Sequence, residues 1–118
     1  MSQAIVVQFL DAFYQAMMKD RNQILSLYRD SSFLTYNGGS HVGVKDISEH
    51  IKGLGFKKIE YKFEDYDAQP VHGNGILIAV TGQLRMDDSD QFNFSQTFLL
   101  MPEGQSWFLQ NDILKISV

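Results

Sequence analysis

Apolar residues recur along the chain with two different periods, and the change of period divides a helical part from a strand part. Val6, Phe9, Leu10, Phe13 and Met17 fall at helical spacing, so the pattern predicts a first helix, capped by Ser2 and running to about Lys19. Val7, Tyr14 and Met18 form a weaker second stripe, which predicts contact with more than one neighbour. Asp20 caps a short second helix whose Ile24, Leu27 and Tyr28 share a face, and Phe33-Leu34-Thr35-Tyr36 reads as a strand broken by Asn37-Gly38-Gly39. Val44, Ile47 and Ile51 mark a third helix, closed by Gly53.

From Phe56 onward the period is 2. Ile59, Tyr61 and Phe63 alternate with Lys58, Glu60, Lys62 and Glu64, which predicts a strand with one buried and one wet face. The phase is lost near Asp65-Tyr66-Asp67, where a bulge or bend is expected. Pro70 with Asn74-Gly75, then Asp87-Asp88-Ser89-Asp90, then Pro102-Glu103-Gly104 are turns. They separate Ile76–Thr81, Phe92–Met101 and Trp107–Val118 as strands. Helices first and long strands afterwards predict a segregated α+β domain with helices on one face of an antiparallel sheet. Leu77, Ala79, Leu109 and Ile113 cannot all point toward those helices, so the second sheet face is expected to pair with a copy of itself in a homodimer.

Composition narrows the chemistry. The 118 residues fit one domain, 1–118, and 44% hydrophobic content with nine Phe and five Tyr supplies a core. No apolar run approaches the ~18 residues of a membrane span, and the N-terminal stretch lacks a basic signal-peptide start. Neither a membrane nor, at a net charge of −4, a nucleic acid is an expected partner. The absence of cysteine removes disulfides, thiolate zinc sites and cysteine nucleophiles. His41, His50 and His72 lack metal spacing and are expected on the surface. Lys57, Lys58 and Lys62 interleave with Glu60 and Glu64 as a solvated strand face, and the glycines of 53–55 and 73–75 are turn residues.

Several segments together resemble the nuclear transport factor 2 family: Asp20-Arg21 with Leu25 and Tyr28, Leu34-Thr35-Tyr36, Asp67-Ala68-Gln69-Pro70, Thr81-Gly82-Gln83-Leu84, residues 94–100 and Asn111-Asp112-Ile113. The resemblance runs from about Asp20 to Lys115. It implies a curved antiparallel sheet wrapped into a cone-like barrel around a hydrophobic cavity and dimerised through its outer face. It also implies a carrier of GDP-bound Ran that binds the Phe-Gly repeats of nucleoporins and works between cytoplasm and nucleus at pore complexes. The family's acidic rim loop falls on Asp87 and Asp88, with Ser89 where a second acid usually sits and Asp90 one residue later. A further rim acid is replaced by Asn37. Tyr36, Leu54, Phe92 and Leu114 fall at cavity-lining positions that receive an aromatic side chain of Ran. For the repeats, Ile5 and Val6 are the large apolar groups at the start of the first helix. No cofactor is implied.

Two other readings compete. The first is an interaction module of the same family, an mRNA export partner or scaffold that binds Phe-containing peptides; the end of the chain at Val118 favours a stand-alone carrier. The second is a small cavity isomerase or dehydratase, for which Asp67, Asp112, Tyr36 and Tyr61 are the assembled candidates. No His–Asp pair or serine constellation supports catalysis. Asp112, on an apolar strand, is expected to make a structural hydrogen bond as a buried carboxylate, and Asn111 a similar one.

Overall fold

The computed structural model describes residues 3–117, so the expected Ser2 cap and the last residue of the final strand lie outside the described residues. In chain order the elements are α1 (Gln3–Lys19), a 3-10 helix (Arg21–Leu27), β1 (Tyr28–Tyr36), β2 (Gly39–Val42), α2 (Gly43–Lys52), β3 (Ile59–Val71), β4 (Gly75–Met86), β5 (Phe92–Glu103) and β6 (Ser106–Ser117). Asp20 caps the 3-10 helix, its Oδ1 accepting the Asn22 N–H at 3.2 Å. α1 buries Val6, Leu10, Phe13, Tyr14 and Ala16 in one continuous face. The weaker stripe therefore divides: Tyr14 joins the core and Val7 stays exposed.

The six strands form one curved open sheet in the order β2-β1-β6-β5-β4-β3. Four neighbouring pairs are antiparallel, whereas β1 and β6 run parallel. The expected all-antiparallel sheet is corrected at that pair. After α2 the chain restarts at the far edge with β3, and three successive hairpins return it to the centre. β6 thus arrives beside β1 pointing the same way. Both helices lie on one face, where Phe98, Ile78, Leu84, Leu100, Leu109, Ile47 and Val6 are fully buried. Phe9, Phe13 and Tyr14 meet Phe98 with ring centroids 4.9–6.3 Å apart, edge-on, the arrangement aromatic quadrupoles favour.

Two bulges set which side chains face the helices. On β3 the pairing shifts between Phe63 and Asp65, where the sequence loses its phase. On β6 the partner of Leu99 is Asn111 and that of Leu100 is Leu109, so Gln110 is the extra residue. Its amide is fixed to β1, donating to Ser31 O at 2.8 Å and accepting from Ser31 Oγ at 3.2 Å. One inserted residue exchanges the faces of everything beyond it. Leu109 consequently points into the core with no exposed surface, although Ile113 four residues later points out. The assignment of Leu109 to the outer face is corrected: strict alternation from Ile113 back to Leu109 fails at the bulge.

The outer face carries two registered rows across all six strands. One runs Val42, Phe33, Asn111, Leu99, Leu77, Gln69; the other runs Ser40, Thr35, Ile113, Thr97, Ala79, Asp67. Val42, Phe33, Leu77 and Ile113 are large apolar side chains left exposed on this chain.

Candidate functional site

The concave face of the sheet and the two helices enclose an apolar cavity. Its deep wall is Phe13, Ile24, Tyr28, Leu34, Ile51, Phe56 and Ile59; Gln96, Asp112 and Leu114 enter from the sheet. Met17, Tyr36, His50, Leu54, Tyr61 and Ile116 line it while remaining partly exposed, and the mouth lies among these six. The space that the centre of a water molecule can reach is about 40 Å³, room for roughly three waters.

The floor is polar and fully bonded. Tyr14 Oη donates to Gln96 Oε1 at 2.7 Å, Gln96 Nε2 donates to Asp112 Oδ1 at 2.8 Å, and Tyr28 Oη donates to Asp112 Oδ2 at 2.8 Å. This chain ties α1, β5, β6 and β1 together. Burial pushes the Asp112 carboxyl up to about 6, against the pull of the two donors from Gln96 and Tyr28. Burial first, and then the neighbouring Asp112, raises the Tyr28 hydroxyl well above its ordinary value, so it stays a neutral donor. Tyr14 and Tyr61 are likewise raised, mainly by burial. Asp112 is thus the buried, hydrogen-bonded carboxylate that its strand position led us to expect.

Tyr36 and Leu54 at the mouth, and Leu114 deeper in, line the cavity as the resemblance implied. Phe92 does not line the cavity: β5 contributes Gln96 instead, and four residues of strand separate the two by about 13 Å. Phe92 packs against the core near the acidic loop. Asn37 has a backbone role, with φ of 46°. Its N–H donates to Leu114 O at 2.9 Å and its Oδ1 accepts the Ile116 N–H at 2.8 Å, continuing the β1–β6 pairing into the turn.

His50 is the residue that sequence reasoning misplaced. It lines the cavity, its ring stacking on His41 at 4.1 Å between centroids and meeting Tyr36 edge-on at 5.2 Å. Burial holds its pKa below the ordinary histidine value, with His41 adding to the effect and Asp46 opposing it. The signal was present in α2: His50 follows Ile47 by three residues, the spacing that places both on one helix face. His41 is partly buried and pairs with Asp46 at 2.9 Å, and His72 is exposed.

The acidic loop is anchored beside the cavity wall by Asp87, which has φ of 52°. Its carboxylate accepts the N–H groups of Lys57 at 3.1 Å and Lys58 at 2.9 Å, and its own N–H donates to Lys58 O at 2.8 Å. These partners sit between Phe56 and Ile59, which line the cavity. Asp87, Asp88 and Asp90 are all exposed, but the Asp87 carboxylate is hydrogen-bonded within the chain to the Lys57 and Lys58 N–H groups. Removing its acceptor should loosen this clamp: we expect Asp87→Ala to lower the melting temperature by about 3–6 °C and Asp87→Asn by less, measured by circular dichroism.

Of the two residues expected to bind repeats, Val6 is corrected: it is wholly buried on the sheet-facing side of α1. Ile5 instead lines a shallow groove with Gln8, Phe9, Leu100, Gln105 and Trp107. Among the described residues no group of three or more His, Asp or Glu is arranged to hold a metal ion.

Helices on one face of a curved open sheet, closing over an aromatic-lined pocket, define a cavity-bearing α+β cone. The profile described as the Nuclear transport factor 2 (NTF2) domain matches residues 5–116, and the chain belongs to that family. It is 40% identical over 116 residues to Nuclear transport factor 2 of Eremothecium gossypii, covering 97% of this chain and 93% of the relative. It is 39% identical over 115 residues to the protein of that name from Neurospora crassa, covering 96% and 93%. The solved structure of nuclear transport factor 2 from Cryptosporidium parvum superposes with a TM-score of 0.90 at 32% identity, covering 93% of this chain and 90% of that one.

Proposed function

We propose that this protein is a nuclear transport carrier, not an enzyme, that takes GDP-bound Ran at the cavity mouth and imports it into the nucleus as a homodimer. The observation that carries the reading is the attachment of the acidic loop, through Asp87, to the segment that lines the cavity. It supports one composite surface on which an apolar guest and its basic surroundings are held together. Tyr36, Leu54 and Leu114 take the guest's aromatic ring, while Asp88 and Asp90 face its cations. Asp87, Asn37 and Phe92 act indirectly, by fixing the rim.

The magnitudes divide the work. Complete burial of a Phe side chain contributes about 1.5–3 kcal/mol, and an exposed ion pair about 0.2–1 kcal/mol. The pocket thus supports affinity, and the acids support association rate and partner choice. Leu54, at the mouth, lies on the irregular segment after α2. A mouth shaped this way distinguishes nucleotide states of Ran by differential affinity for their switch segments.

Passage through the pore requires weak contact with Phe-Gly nucleoporins. Ile5, with Phe9 and Trp107 beside it, supplies the apolar part of a mixed groove for such repeats, and Trp107 an aromatic that the residues before Phe9 lack. The carrier itself needs no cofactor.

Calorimetric titration with Ran loaded with GDP, and separately with GTP, tests the proposal. Binding to the GDP form alone supports it; binding to neither leaves an interaction module of the same family. Within the complex, Asp88→Lys is expected to weaken Ran-GDP binding about 3–30-fold, more at low salt, and to leave the melting temperature within about 2 °C.

A further inference from the structure

Most polar groups of the cavity are satisfied: the Asp112, Gln96 and Tyr28 side chains bond one another. His50 is different. Its Nε2 is buried and, among the described residues, has no hydrogen-bond partner. A buried polar atom without a partner costs free energy that a native structure ordinarily recovers elsewhere. Here the ring cannot simply turn away. It is held on one face by His41 at 4.1 Å and at its edge by Tyr36 at 5.2 Å, while His41 is itself fixed by Asp46. The orphan atom therefore belongs to a side chain that also lines the cavity mouth, where a guest arrives.

We propose that His50 is a specificity residue of this cavity, with Nε2 hydrogen-bonding to a peptide group that flanks the aromatic ring of the guest. The cavity then selects an aromatic side chain presented on polypeptide over a bare hydrocarbon ring of the same size. A peptide group is the polar group that lies within a few ångströms of every aromatic side chain. It offers both a donor and an acceptor, so either neutral tautomer of the imidazole finds a match. This rests on the reading of the cavity as a guest site but not on which protein supplies the guest.

Two small probes separate the contributions. N-acetyl-L-phenylalaninamide carries the ring between two amides, and toluene carries the ring alone. Both are titrated against the full chain and against His50→Phe, which keeps an aromatic ring between His41 and Tyr36 but has no nitrogen. The methyl NMR signals of Met17 and Ile51, both cavity-lining, report binding. The expected result is that His50→Phe weakens the amide probe about 5–30-fold while toluene changes by less than about twofold. His50→Gln, which restores a hydrogen-bonding group, should recover part of the preference. An equal change for both probes, or undiminished amide binding by His50→Phe, overturns the proposal and leaves the cavity reading intact. If neither probe perturbs the cavity signals of any variant, the cavity reading itself fails and the proposal with it.

Discussion

Asp112→Leu is expected to destabilise the fold by about 2–5 kcal/mol, because it strands the Tyr28 hydroxyl and the Gln96 amide in the core. Asp112→Asn should behave differently. The Tyr28 hydroxyl can rotate to accept from the new amide, so the network survives while the buried charge disappears. The folded carboxyl titrates at about 6 against an ordinary 3.8. Below pH 4 both states hold the proton and the group contributes nothing. Between pH 4 and 6 the folded state keeps a proton that the unfolded state has lost, so this group's contribution to stability falls as pH rises. Above pH 6 it is a constant penalty of about 3 kcal/mol. Asp46, Glu60 and Glu103 are lowered by their ion pairs and act with the opposite sign, but they cancel in a comparison with Asp112→Asn. Urea unfolding of both proteins at pH 4, 5, 6 and 7, at one protein concentration, should show Asp112→Asn gaining on the wild type as pH rises. A constant difference across that range would mean that Asp112 is not a buried titrating group.

That network shows what the sequence made legible. A charged residue among Leu109, Ile113 and Leu114 has few places to go, and hydrogen-bonded burial is the usual one. Its partners were hidden, since Tyr14 and Gln96 come from elements whose approach no local pattern encodes. The same division runs through the fold. The hairpins at Asn74-Gly75 and Asp87–Asp90 and the bulge before Asp65 are short-range facts of turn chemistry and alternation. The parallel pairing of β1 with β6 is a long-range fact, and it was missed. Leu109 was misassigned because a bulge at Gln110 depends on a bond to Ser31 on another strand. His50 was legible and overlooked: polarity was allowed to outweigh its spacing from Ile47. The rim acids were found as a loop, but only their geometry separates Asp87, which holds the loop, from Asp88 and Asp90, which face outward.

Ile113→Asp is expected to abolish the homodimer that we propose forms through the outer sheet face. Ile113 is 43% exposed and sits at the centre of a registered row, between Thr35 on one side and Thr97 and Ala79 on the other. The neighbouring row adds Leu77, Leu99 and Phe33. A face of this kind, with apolar side chains on five of its six strands and covered by neither helix, suits isologous pairing, in which residue i of one copy meets residue j of the other and j meets i across a two-fold axis. Substitution at its centre buries an unpaired carboxylate from each copy in a desolvated seam, where such a charge costs about 3–5 kcal/mol. Dissociation should therefore strengthen at least ~100-fold, and sedimentation equilibrium at micromolar concentration should find monomers. Ala79→Asp should act in the same direction. Leu109→Ala, on the opposite face, should cost stability without a comparable effect on association, since that side chain reaches only the core. This contrast is the stringent part of the test. A dimer that survives Ile113→Asp would put the seam elsewhere, and the exposed patch of Leu77, Ala79 and Ile113 would then need a different partner.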